Sequence, residues 1–300
     1  QAAHPGIEFV VETSGSHGDA DQSKPLAELA AKNPGLFTKD LEGGLVSRAF
    51  DLVVHSLKDM PTTLPDGLVL AAITERANPE DALVVNPKHA GCGSVEALPA
   101  GSVIGSSSLR RQAVLAALRP DVTVVDVRGN LNTRMKKLDE GVGGVAYDAL
   151  ILARAGMERM GWGHRIEAVL DPSVFPYSVG QGALGVECRA DDDAILSLCA
   201  AVVHPATSRR CTAERAFLRG LLGGCQVPIG VQTEVAADGT LTLQGAVMSM
   251  DASTAPIRVT QSCPAAGDAT ELGQAAARVA LDGGAAALVD LAKGPRPLTY

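Results

Sequence analysis

Between Gly105 and Lys137 the chain reads GSSSLRRQAVLAALRPDVTVVDVRGNLNTRMKK, seven basic residues against two acidic ones in a protein whose formal net charge is -8. That is a local positive field and not a solubility bias. Arg110, Arg111, Arg128 and Arg134 follow small polar or turn residues, and guanidinium groups make paired contacts with carboxylate or phosphate oxygens. The guest they imply is a multiply charged anion. Ser106, Ser107 and Ser108 precede LRRQAVLAAL, so one serine is expected to cap a helix whose free N–H groups face the anion. Taken alone, this segment reads first as an ordinary cap below solvated arginines. The strand expected over 122–127 changes the balance, because it ends in Arg128, Gly129 and Asn130 and aims a second guanidinium at the crevice where open α/β sheets bind ligands.

Two further segments carry reactive groups. DLVVHSLKDMP, from Asp51 to Pro61, reads as a buried strand delivering Lys58 and Asp59 to its end before a proline stop. In a closed cleft Lys58 serves as an anion anchor and Asp59 as an acid/base; the bland alternative is a polar loop. His55 sits inside the strand and reads as a core or supporting histidine. GGCQVP, from Gly223 to Pro228, presents Cys225 on a Gly-Gly turn, where close approach suits a nucleophile or a covalent attachment point. Most single cysteines are small buried hydrophobes, and no Cys, His and Asn arrangement accompanies this one. GQGALG, from Gly180 to Gly185, lacks dinucleotide-loop spacing and precedes a strand, which removes nucleotide binding; Gln181 within it remains placed to reach a ligand.

These groups need a scaffold. Three hundred residues with 46% hydrophobic and 20% charged content support two or three domains with proper cores. Val- and Ile-rich runs alternate with helical patterns: strands are expected near 7–12, 51–55, 102–105, 122–127, 149–153 and 185–188, with helices near 39–49 and 109–118, the grammar of an α/β protein with mixed sheets. Near His204 and Pro205 the texture shifts to a helix over 208–220, strands through 230–250 and 257–261, and an Ala-rich tail, a small α+β unit. The tail, from Glu271 to Ala292, is interrupted by Arg278, Asp282 and Asp290, so it reads as one packing helix and not a membrane span. A second boundary falls at Arg76 to Pro79, a charged turn. Six cysteines without a CxxC pair point away from zinc and disulfides and toward a reducing compartment, the cytoplasm or a plastid stroma. The acidic balance and 3% aromatic content argue against nucleic acid.

In this order and spacing, VVHSLKDMPT, GSSSLRR, VRGNLNTR, GMERMGW, VGQGALGVE, AERAFL and GGCQVPIG closely resemble the porphobilinogen deaminase (hydroxymethylbilane synthase) family, most specifically from Leu36 to Gly230. The resemblance implies an α/β fold of two type II periplasmic-binding-protein-like lobes with mixed sheets plus a small α+β C-terminal domain. It places domain 1 at 1–76 and 180–203, domain 2 at 77–179 and domain 3 at 204–300. It also implies a transferase that joins four porphobilinogen molecules head to tail on a dipyrromethane cofactor, releasing ammonia and giving hydroxymethylbilane for tetrapyrrole biosynthesis.

Carried over by residue, Asp59 matches the catalytic aspartate and Cys225 the thioether attachment of the dipyrromethane. Lys58, Ser107, Ser108, Arg110, Arg111 and Arg134 match positions that grip cofactor carboxylates. Arg128 and Arg159 match positions tied to incoming substrate, and Gln181 matches the interdomain loop. No metal is implied, and the expected partner is the small-molecule substrate alone, acting on a monomer. The family's initial strand and helix, with an Arg and a Ser facing the cleft, has no counterpart here, since the chain joins the pattern partway into the following helix. The segment from Ser14 to Pro34 also departs from the family pattern, which leaves a lid there without support. A reading from another class is a carboxylate- or oxyanion-binding two-lobe protein without chemistry, against which Cys225 stands as the discriminating residue.

Overall fold

A computed structural model describes residues 1–13, 38–221, 227–250 and 252–293. Three sheets organise them. The first is built from β1 (Leu52–Ser56), β2 (Leu68–Ile73) and β8 (Leu184–Arg189), in the order β1-β8-β2 with both pairings antiparallel. The second comprises β3 (Asp81–Val85), β4 (Val103–Gly105), β5 (Thr123–Val125), β6 (Ala149–Ala153) and β7 (Ala168–Val169), ordered β5-β4-β6-β3-β7. It is mixed: β4 runs parallel to β5 and β6, whereas β3 is antiparallel to β6 and β7. The third is an antiparallel meander of β9 (Ile229–Val235), β10 (Leu241–Val247) and β11 (Ile257–Cys263).

Sequence patterns explain the placement of these strands. ALVV in β3 and ALIL in β6 are apolar without alternation and buried on both faces, so they occupy the interior of the second sheet. Its faces are covered by α2 (Leu109–Leu118) on one side and by α3 (Leu131–Glu140) with α4 (Arg154–Arg159) on the other, each contributing to a separate core cluster. In the first sheet α1 (Lys39–Val46) packs Leu45 against Val53 and Leu68, and α5 (Asp193–Cys199) packs behind β2 and β8. The third sheet lies under α6 (Pro205–Gly220) and α7 (Ala269–Asp282), with Phe217, Val231, Leu241 and Leu243 fully buried. Gly273 permits that helix pair: a Cβ there would stand 2.2 Å from the Ala213 carbonyl oxygen.

Two expectations fail. Residues 7–12 form no strand; Val10 and Val11 are 78% and 84% exposed, and no described strand pairs with them. The Ala-rich tail is two helices, α7 and α8 (Ala285–Lys293), because Gly283 and Gly284 interrupt it and Gly284 adopts φ +96. No helix among the described residues is long and apolar enough to cross a membrane. The described cysteines are free thiols, and no metal-holding cluster occurs among the described residues.

The register of β8 fixes the site. Ser56 at the end of β1 pairs with Leu184, and Ile73 at the end of β2 pairs with Gly185, so the start of β8 meets both strand ends. The chain leaves for the second sheet after β2 and returns just before β8. Its two crossings therefore run side by side, tied by Thr74 N–H to the Leu184 carbonyl (3.0 Å) and Ala77 N–H to the Gly182 carbonyl (3.2 Å).

Candidate functional site

Beside these crossings lies a cleft of 510 Å³, bounded by loops of both sheets and by the C-terminal unit. Its charged lining among the described residues is Lys58, Arg110, Arg111, Arg134, Arg159 and Arg215, with Asp59 as the one carboxylate. Lys58 and Asp59 sit on a single 3-10 turn, Leu57–Asp59, directly after β1. Buried Leu57 anchors the turn through its N–H to the Ala183 carbonyl (3.0 Å), which leaves Asp59 exposed in the cleft and Lys58 half-buried beside it. Burial lowers the Lys58 pKa; Asp59 opposes that shift while Arg111 and Arg134 add to it. His55, inside β1, is buried against Glu187, with Nε2 3.1 Å from Oε2, the supporting position expected of it.

The serine and arginine segment folds differently in detail from the simple cap. Ser108 occupies the N-cap position of α2 but makes no side-chain cap bond, so its hydroxyl stays at the cleft wall. The Ser107 hydroxyl donates to the Val127 carbonyl (2.9 Å) and accepts from the Val127 N–H (3.1 Å), stitching the ends of β4 and β5 together. Arg110 and Arg111 are buried, and both turn to Asp81. Arg110 donates to it at 2.7 and 3.3 Å and to the Pro176 carbonyl at 2.8 Å; Arg111 donates to it at 2.7 Å and to the Ile151 carbonyl at 2.8 Å. Gln181 adds a fourth donor through Nε2 at 2.8 Å. Burial by itself would raise the Asp81 pKa, but the two guanidiniums overcome it and hold the carboxyl well below the usual carboxylate range.

Arg134, on the first turn of α3, lines the cleft with its Nε donating to the Gly129 carbonyl (2.7 Å), and Arg159 donates to the Gly182 carbonyl (2.7 Å) from the end of α4. Gly129 and Asn130 are lining residues as well; Arg128 is buried and is not one of them. Cys225 lies outside the described residues, as does the segment from Ser14 to Pro34. Of the described residues on either side of it in sequence, Leu218 on α6 and Val227 line the cleft.

Asp81 and Arg215 escaped the reading of the sequence. Asp81 had one signal, a lone carboxylate opening an otherwise apolar strand. Arg215 was hidden inside the helical AERAFL segment. It reaches from α6 to the carbonyls of Met60 (3.4 Å) and Pro61 (2.7 Å), the residues that follow Asp59, and burial with the nearby Arg219 pushes its guanidinium down to about 10.

A second buried hub closes the floor of the site. Arg76, on the outgoing crossing, is paired in bidentate fashion with Glu214 of α6 at 2.5 and 3.0 Å, and donates to the Gln181 carbonyl at 2.8 Å. Glu214 also accepts from Gly180 N–H (2.9 Å) and the Thr233 hydroxyl (2.6 Å), while the Arg76 guanidinium lies 4.8 Å from the centre of the Tyr177 ring. Both crossings and the C-terminal helix thus meet on one ion pair.

Fold and site together define a class: a mixed-sheet α/β protein with an added α+β unit, whose strand-end cleft is lined, among the described residues, by six cationic side chains around one exposed carboxylate. Comparison with known proteins gives the family. Residues 1–197 match the model described as porphobilinogen deaminase, dipyromethane cofactor binding domain, and residues 208–282 match porphobilinogen deaminase, C-terminal domain. A protein named porphobilinogen deaminase from Gloeobacter violaceus is 50% identical over 292 residues, covering 97% of this chain and 86% of that one. Another of that name from Nostoc sp. is 52% identical over 251 residues, covering 84% and 75%. Among solved structures, the Bordetella pertussis BvgS periplasmic VFT2 domain aligns with TM-score 0.36 and 12% identity over 60% of this chain and 72% of that one, and the fold is read from the strand order instead. The chain belongs to the porphobilinogen deaminase family.

A dipyrromethane with acetate and propionate side chains fits the donor set. The cleft lining is cationic, and the buried Nε atoms of Arg110 and Arg111, together with Gln181 Oε1, have no hydrogen-bond partner among the described residues. The unmet Nε–H donors call for acceptors, and the Gln181 oxygen, itself an acceptor, calls for a donor.

Proposed function

We propose that this protein is a transferase that condenses four porphobilinogen molecules head to tail, releasing ammonia at each step and yielding hydroxymethylbilane, with a dipyrromethane held by a thioether to Cys225. The observation that carries the reading is the isolation of Asp59: among the described residues it is the single carboxylate of a cleft with six cationic side chains, and it is exposed on a turn fixed by Leu57. When bound, a dipyrromethane supplies a free pyrrole carbon as the acceptor for the first incoming ring.

Every other step falls to the chain. Asp59 delivers a proton to the departing amine, stabilises the positive charge left on the substrate pyrrole and takes up the proton lost after coupling. Lys58, Ser108, Arg110, Arg111 and Arg134 hold carboxylates of the tethered pyrroles, each charge-assisted contact contributing about 1.5–3 kcal/mol before desolvation is subtracted. Ser107 takes part through the strand ends it ties and not through a free hydroxyl. Arg128, Arg159 and Gln181 serve the incoming ring, Arg159 and Gln181 from the cleft lining. The cysteine assignment is supported by its motif, GGCQVPIG, and by the cleft-lining residues on either side of it.

The same reading divides the chain into 1–76 with 180–203, 77–179, and 204–300. In its favour, β8 lies between β1 and β2, the five-stranded sheet draws only on residues 81–169, and the meander only on 229–263. It places a monomer in the cytoplasm or a plastid stroma.

Intact mass of the purified protein tests the central claim: an adduct of dipyrromethane size, absent from Cys225→Ala, is expected, and an active protein of unmodified mass refutes it. Asp59→Asn, loaded beforehand with the adduct, is expected to keep it and to release no ammonia.

A further inference from the structure

Asp81 accepts four hydrogen bonds at the site, yet it does not line the cleft. It is 0% exposed and stands at the first position of β3, where the outgoing crossing enters the second sheet. Its Oδ1 receives Arg110, Arg111 and Gln181, and its Oδ2 receives Arg110 again. Those donors come from α2 and from the returning crossing, so one buried anion orients three side chains of the cleft wall. It leaves them unsaturated: both Arg Nε atoms lack partners among the described residues. Two guanidiniums sharing one carboxylate also present the cleft with one net positive charge in place of two.

This arrangement has a chemical consequence for a site that must hold carboxylates and then let them move on. A ligand carboxylate reaching Arg110 or Arg111 competes with Asp81 for the same cations, so the grip is weaker than that of two free guanidiniums. Asp81→Asn would preserve the shape and part of the acceptor capacity while removing the competing charge.

We propose that Asp81 is a positioning residue of this reaction: an internal counter-ion that aims Arg110, Arg111 and Gln181 at the cleft and limits how tightly they hold the carboxylates of the growing pyrrole chain. The kinetic part rests on the condensation proposed above; the binding part does not, and the two are tested separately.

The binding arm uses citrate as probe, titrated calorimetrically into the full-length Cys225→Ala protein with and without Asp81→Asn. Removal of one unit charge close to the guanidiniums, at an effective dielectric of about 20 and with partial salt screening, is expected to tighten citrate binding roughly tenfold. Unchanged or weaker binding by a variant with a native near-ultraviolet spectrum overturns the proposal. Where Asp81→Asn alone does not fold, Arg110→Gln and Arg110→Gln/Asp81→Asn supply the same comparison, the double variant keeping the original net charge of the cluster; equal citrate affinity in the pair again overturns it.

The kinetic arm compares loaded enzymes. Asp81→Asn is expected to lower kcat with KM unchanged or reduced, and Asp81→Glu, which keeps the charge, to recover part of kcat; a rise in KM with kcat intact overturns the positioning role. A wild-type protein that carries no adduct and releases no ammonia defeats the proposed function and leaves the citrate result standing.

Discussion

Glu214→Gln isolates the ion pair that joins both crossings to the C-terminal helix. The Arg76 and Glu214 side chains are 2% and 0% exposed, and the substitution keeps the size of the side chain and one acceptor for Thr233. What remains is a buried guanidinium without its counter-charge, a defect that costs about 3–5 kcal/mol. At roughly 2–4 °C per kcal/mol for a chain of this order, the unfolding midpoint should fall by roughly 10 °C at pH 7. Burial acts to raise the Glu214 pKa, but Arg76 with the Gly180 and Thr233 hydrogen bonds overcomes it and holds the folded-state value below the ordinary one. The pair's pH-linked stability is therefore fully present above the unfolded-state pKa of about 4.3 and is lost as pH falls through the lower folded value. Differential scanning calorimetry of both proteins from pH 7 down to pH 3 checks this. The gap in midpoint should be widest at neutral pH and narrow below pH 4. A deficit under about 1 kcal/mol, the range of an exposed pair, or a gap that widens with acid would refute the reasoning. Arg76→Met/Glu214→Leu, which leaves no unpaired charge, should recover more than half of the loss.

Arg215→Met removes the donors to the Met60 and Pro61 carbonyls that fix the chain beyond Asp59, and should cut kcat about tenfold to a hundredfold through misplacement of the carboxylate, with the adduct still present by mass. Gly182→Ala puts a Cβ 2.5 Å from the Ala77 carbonyl at φ +89, so the two crossings must part; a loss of about 1–3 kcal/mol in urea unfolding is expected, with faster amide exchange at Ala77. Ser107→Ala deletes the two hydrogen bonds to Val127 and should cost about 1–3 kcal/mol while leaving the adduct loaded.

Periodicity makes some elements plain. α2 runs over Leu109–Leu118 and β6 over Ala149–Ala153 at the boundaries expected, because each is an unbroken pattern ended by charge or turn residues. It fails at 7–12, where Val- and Ile-rich sequence has no described strand to pair with, and in the tail, where adjacent glycines override an alanine-rich helix. Strand propensity is completed only by a neighbour, and no local pattern encodes the neighbour.

The sequence by itself determined the chemistry this protein has to work with: the arginines from Arg110 to Arg134, Lys58 and Asp59 at a strand end, and a thiol directly after two glycines. Residue type and spacing suffice for that, since charge and nucleophilicity belong to the side chain. The tertiary structure decided which of those charges face the cleft and how strongly. Asp81 neutralises one of two arginines from 29 residues away, Gln181 joins it across 100, and Arg215 supports the Asp59 turn across 154. Each is a buried charge or amide choosing a partner, and in a low-dielectric interior that choice depends on which elements come together, a property of the fold and not of the neighbouring letters.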